Sequence, residues 1–207
     1  MTGQIRLAML FGAALALFCT AGCGSGPGAG TVIAFGEDEA MRTVGAPVSV
    51  AEFMLYSVDV KTAGDGTVDD GFYERIGISA SGAALTNENI VKEGIAESIR
   101  TVRVLCAAAG EYGASLSADE ERILKENAGT YHRQMTEAGV DEAFLSEETV
   151  ERFVRETYLA GKVYARMESL RGDTEDIPAL LERYDGSYSS RTSINWELLT
   201  GFSLQGS

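Results

Sequence analysis

The chain has 207 residues, 45% of them apolar, and carries 31 acidic residues against 17 lysines and arginines, a formal net charge of −14. That surplus repels nucleic acid backbones and anionic lipid headgroups, so a nucleic acid partner and a basic membrane-binding patch are both excluded. One histidine and three cysteines offer little for metal or cofactor ligation, and no cofactor is expected.

Arg6 precedes an apolar run from Leu7 to Phe18, which leads into Thr20-Ala21-Gly22-Cys23. The run is too short to span a hydrocarbon core, which takes about 20 apolar residues. It reads as an export signal, and its last four residues look like a bacterial lipobox. Cleavage would remove residues 1–22 and leave Cys23 as the lipidated first residue. The expected address is extracytoplasmic, lipid-anchored to the bacterial cell membrane. Plain secretion is the competing reading, because Thr20 stands where such motifs usually carry Leu. Loss of Arg6 takes the net charge to −15, so acyl chains must supply the attachment. Cys19 leaves with the signal and Cys23 is consumed by lipid. Cys106 remains, in an apolar helical run, and is expected to be a small core residue without a disulfide partner.

Residues 23–30 form a Gly-rich tether. Thr31–Phe35 reads as a short strand, pairing with Met41–Val44 across the acidic turn Gly36-Glu37-Asp38-Glu39. Ser49-Val50-Ala51-Glu52 is a capping box that opens a helix ending near Ala63-Gly64. Residues 65–82, rich in Gly and Asp and containing Phe72-Tyr73, read as an extended connection with one short helical turn. A long helix starts near Asn87, with Val91, Ile95, Ser98, Val102 and Leu105 at helical spacing. It stops near Gly110 or Gly113. Ser117-Ala118-Asp119-Glu120 opens a third helix, striped by Ile123, Leu124, Ala128, Tyr131 and Met135 and closed by Gly139. Ser146 caps a fourth, with acids in its first turn and Lys162 and Arg166 near its end, as the helix dipole favours. Asp176–Tyr184 forms a short helix, and an apolar tail around Ile194, Trp196, Leu198, Leu199, Phe202 and Leu204 closes the chain.

The chemistry-bearing patterns are weak. His132 lies between Tyr131 and Arg133 and reads as a partly exposed surface residue; nothing orients it toward Cys106. Asp65, Asp69 and Asp70 fail the EF-hand spacing and read as solvated turn residues. Glu120-Glu121 and Glu147-Glu148 favour helix dipoles and need no catalytic role. No catalytic or metal-binding residue is nominated.

The order of elements resembles the chaperone part of SurA- and PrsA-type extracytoplasmic folding factors. The likeness is carried by Val44-Gly45-Ala46-Pro47-Val48-Ser49-Val50-Ala51-Glu52-Phe53, by Leu116-Ser117-Ala118-Asp119-Glu120, by Leu145–Val150 and by Tyr158–Tyr164, within residues 41–168. It implies a mainly α fold: a SurA N-terminal-like helical module over residues 31–168 with a short N-terminal β-hairpin, and a C-terminal part, residues 169–207, that packs back on it. It also implies ATP-independent holding of unfolded or translocated polypeptide. A parvulin prolyl isomerase domain commonly follows this module. Such a domain takes about 90 residues or more, and 39 residues follow Glu168, so isomerase activity is not carried over. A divergent isomerase and a structural lipoprotein docking one dedicated partner are the alternatives.

A holding surface needs uncovered apolar side chains, and aromatics and methionine suit varied clients. Tyr56, Tyr131 and Met135, at the edges of their stripes, are the preferred exposed candidates, joined by Phe72, Tyr73 and Trp196.

Overall fold

The computed structural model describes residues 35–63, 71–79, 82–137, 140–170, 175–187 and 192–204. The expected signal, Cys23 and the expected tether lie outside these residues, as do residues 31–34 of the expected first strand.

The expected N-terminal hairpin is corrected. Phe35 is not in a strand, and β1 (Glu39–Arg42) pairs instead with the downstream β2 (Val48–Ser49), Met41 opposite Val48. The reversal is made by Gly45, whose φ of 90° suits a residue without a Cβ. Glu39, expected in the turn, begins the strand; its carboxylate accepts from Gly36 N at 2.9 Å and from Arg42 Nε at 2.7 Å. Ala40, Met41 and Val48 are fully buried beneath the helices.

Helix α1 (Val50–Ala63) starts where the capping signal places it, with Ser49 Oγ accepting from Glu52 N at 3.2 Å. Residues 71–86 depart from expectation. After a turn at Gly71–Arg75 the chain forms an antiparallel hairpin, β3 (Ile76–Ile78) against β4 (Ala84–Thr86). Gly82, at φ 80°, closes the turn by donating to Ser79 O at 2.9 Å. Thr86 then caps α2 (Asn87–Ala108), its hydroxyl accepting from Asn89 N at 3.3 Å.

Helix α3 (Ala118–Glu137) shows both halves of its capping box: Ser117 Oγ accepts from Glu120 N, and Glu120 Oε2 accepts from Ser117 N at 2.8 Å. A single 3-10 turn (Glu142–Phe144) leads to α4 (Glu147–Ser169), capped by Ser146 as expected. Then come α5 (Ile177–Ser187), β5 (Ser193–Ile194) and the short α6 (Trp196–Thr200). The architecture is mainly helical with a small sheet.

Helix α4 packs against α1, α2 and α3, and α5 lies on α2. Phe53, Leu55, Ile99, Phe153, Val163 and Leu180 are among the side chains closed off at the centre. The C-terminal segment returns to this core: β5 adds to β1 with Ile194 opposite Met41, giving the sheet order β2-β1-β5. Leu199 and Leu204 are fully buried there. Residues 177–184 and 194–204 thus share one apolar core with the helices before them.

Candidate functional site

The aromatic residues do not line an open cradle. Tyr56, expected at an exposed edge, is 2% exposed; its ring meets Phe153 edge-on at 4.8 Å, and burial pushes its phenol well above the ordinary range. Its position explains the correction, since α1 is covered on that side by α4. Tyr131 is half-buried with its ring 5.5 Å from the same Phe153, and Met135 packs against the core beside it. Tyr73 is buried, and Phe72 packs on it edge-on at 5.4 Å. Trp196 is half-buried. The six candidates therefore sit in three places, around Phe153, at Phe72-Tyr73 and at Trp196.

The most exposed large apolar side chains among the described residues belong to the hairpin. Ile76 and Ile78 are 67% and 70% exposed, against 40% for Ile123 and 37% for Tyr164. The reason is the inverted pattern of Ile-Gly-Ile. Gly77 takes the inward face, where an added Cβ would lie 2.5 Å from Asn87 Oδ1 and 2.8 Å from Ile90 Cδ1. Only a residue without a side chain brings β3 this close to α2, so both isoleucines point outward. The base is pinned by Asn87 Nδ2 donating to Phe72 O at 3.0 Å and by Glu88 N donating to Tyr73 O at 3.1 Å. Sequence reasoning missed this feature; Ile-x-Ile before a Gly-containing turn was the available signal.

Two furrows run between α3 and α4. One of 310 Å3 is lined by Glu121, Arg122, Leu124, Lys125, Glu151 and Arg155; a second of 290 Å3 includes His132 and Gly129. Ion pairs Lys125–Glu151 at 3.2 Å and Arg155–Glu121 at 3.1 Å cross them, so their charges are already matched.

Buried charge is concentrated at one point. Glu52, at the glutamate position of a capping box, is instead fully buried and accepts from Arg103 Nη2 at 2.7 Å, with Arg152 Nη2 at 3.2 Å. Arg103 also donates to Glu156 Oε1 at 3.0 Å. Glu156 has its carboxyl raised, chiefly by desolvation. The two carboxylates and two guanidiniums join α1, α2 and α4. Cys106 Sγ lies beside them, donating to Glu156 O at 3.3 Å; burial, then the nearby Glu156 charge, pushes its thiol up to about 12. A thiol so held is not a nucleophile near neutral pH.

At the start of α3, Glu120 accepts from Lys162 Nζ at 2.7 Å and from Ser117, which holds its carboxyl down to about 2 from the usual 4.5. A lowered folded value stabilises the protein above the unfolded value, and the contribution fades as pH falls from 4.5 toward 2. Glu120→Gln should therefore flatten the thermal-melting curve across that acid range and leave its shape near neutrality unchanged. Carboxyl carbon NMR titration of Glu120 should show no transition at the ordinary value.

Among the described residues no helix is long and apolar enough to cross a membrane, and no group of three or more His, Cys, Asp or Glu could hold a metal ion. Comparison with family models, curated proteins and solved structures finds no match for this chain.

Proposed function

We propose that this chain is a lipid-anchored extracytoplasmic protein of the SurA/PrsA chaperone kind that holds unfolded or translocated polypeptide without ATP and without bond chemistry. The observation that carries this reading is the pair of outward isoleucines on a hairpin whose base is hydrogen-bonded to the start of α2. An exposed apolar site on an acidic body offers weak, sequence-tolerant contact to basic unfolded segments while keeping the carrier soluble. The succession of strand, helix and returning C-terminal segment supports the same reading. Anchoring through Cys23 would concentrate the carrier where clients emerge.

The test uses residues 24–207 without the lipid. This fragment should suppress aggregation of a reduced, denatured model protein, and Ile76→Lys with Ile78→Lys should remove the effect at unchanged helicity. Tyr131→Ala with Met135→Ala should leave it largely intact, because those side chains pack inward. A proline-peptide isomerisation assay should stay at background; a clear rate would favour the divergent isomerase. The small extent of the exposed patch favours the second reading, docking of one dedicated partner. No suppression, together with recovery of one stoichiometric protein on purification, would select it.

A further inference from the structure

The hydrogen-bond register of the hairpin fixes where its backbone groups point. Asn87 N donates to Arg75 O at 2.8 Å, and Ser79 N donates to Ala83 O at 2.8 Å. With Gly77 opposite Leu85, the bonded pairs of the ladder are therefore 75/87, 77/85 and 79/83. Ile76 and Ile78 stand in the intervening non-bonded positions, opposite Thr86 and Ala84. The N–H and C=O of both isoleucines thus face away from β4, along the outer edge of β3. The sheet has two strands, and no other strand among the described residues pairs with that edge.

Two properties coincide on the same residues. The backbone of Ile76 and Ile78 offers an open row of donors and acceptors, and their side chains are the most exposed large apolar groups described. Exposed edges in folded proteins are ordinarily blunted by lysine, proline or a bulge, and Ile-Gly-Ile has none of these. The β4 edge is less open: Thr86 is half-buried and the chain turns directly into α2.

We propose that the outer edge of β3 accepts an extended client segment as a third, added strand, with apolar side chains at alternate positions against Ile76 and Ile78 and a net positive charge. The charge of the occupant follows from the −14 of the whole chain, which attracts a basic strand and repels a second copy of the same acidic molecule. Main-chain bonds would give affinity without demanding a sequence, and the alternating apolar positions would give the preference. The inference rests on the holding function proposed above and names its mode.

The experiment measures binding of a fluorescent peptide of alternating valine and lysine to the full-length chain in lipid nanodiscs, with empty nanodiscs as control. The same peptide N-methylated on one edge keeps its side chains and loses the backbone donors. Binding of the unmodified peptide should exceed that of the methylated one by about tenfold or more, as loss of one or two hydrogen bonds predicts. Ile78→Pro should have a similar effect, since the N–H it removes lies outside the ladder. Ile78→Lys and amide-exchange protection of α2 show whether the hairpin stays seated in the variants.

Equal binding of both peptides, with aggregation suppression intact and sensitive to the lysine variants, would overturn strand addition and leave the holding function standing. Edge-dependent peptide binding without aggregation suppression would do the reverse. Concentration-dependent dimers of the wild type that Ile78→Pro dissolves would make a second copy the occupant and overturn the proposal.

Discussion

Replacing Arg103 by methionine should cost the protein about 3–5 kcal/mol of folding stability, the range for removing one partner of a buried ion pair. The reason is what the substitution leaves behind. Glu52 has no exposed side-chain surface, and Arg103 reaches it at 2.7 Å from a position itself 6% exposed. Without the guanidinium, the carboxylate keeps Arg152 at 3.2 Å, a partner whose side chain is 30% exposed. Glu156, 15% exposed, loses its 3.0 Å partner as well. For a domain of this size the melting temperature should fall by about 6–20 °C. The double variant Glu52→Leu with Arg103→Met should recover most of the loss, because the network's net worth against well-packed apolar groups is small even though breaking it is costly. A double variant as unstable as the single one would mean that the cluster contributes stability in its own right. Stability of the single variant within about 0.5 kcal/mol of wild type, the scale of an ordinary surface substitution, would mean that the charges are solvated.

The cluster also shows what the sequence could and could not reveal. Ser49, Ser117 and Ser146 each mark a helix start correctly, because an N-cap is a local event decided within three or four residues. Glu52 sits at the glutamate position of a capping box, and nothing within that motif announces that its carboxylate goes to residue 103 instead. The long helix is legible in extent and largely in phase: Ile95, Val102 and Leu105 of the expected stripe are buried, while Val91 and Ser98 are half-buried and Lys92 and Arg103 take buried positions. Two cations at the buried phase of a helix were the visible signal of buried charge. The hairpin is hard to read for the opposite reason: alternation locates a strand when apolar residues face inward, and here glycine does. The same inversion hid the exposed isoleucines and directed attention to aromatics such as Tyr56 that the helices enclose.

Lys92 carries the other large effect, and its target is the C-terminal segment. Its side chain, 3% exposed, donates to Leu199 O at 2.8 Å and to Phe202 O at 2.5 Å, with Glu88 at 3.3 Å. Glu88 in turn accepts from Leu204 N at 2.6 Å. Ordering residues 192–204 costs conformational entropy, which the burial of Leu199 and Leu204 offsets only in part. The charged hydrogen bonds of Lys92, about 1.5–3 kcal/mol apiece, add the further contribution that seats the segment. Lys92→Met should therefore release residues 192–204 before the helices melt. Trp196, the single tryptophan of the chain, reports on it directly: acrylamide quenching should rise toward that of a free indole while far-UV circular dichroism changes little. Amide exchange should accelerate from β5 through Leu204 and remain slow in α2 and α4. Glu88→Gln, which keeps an acceptor for Leu204 N, should show the same pattern more weakly. Unchanged quenching in Lys92→Met would mean that apolar contact alone seats the segment, and the lysine would then be a passenger in the core.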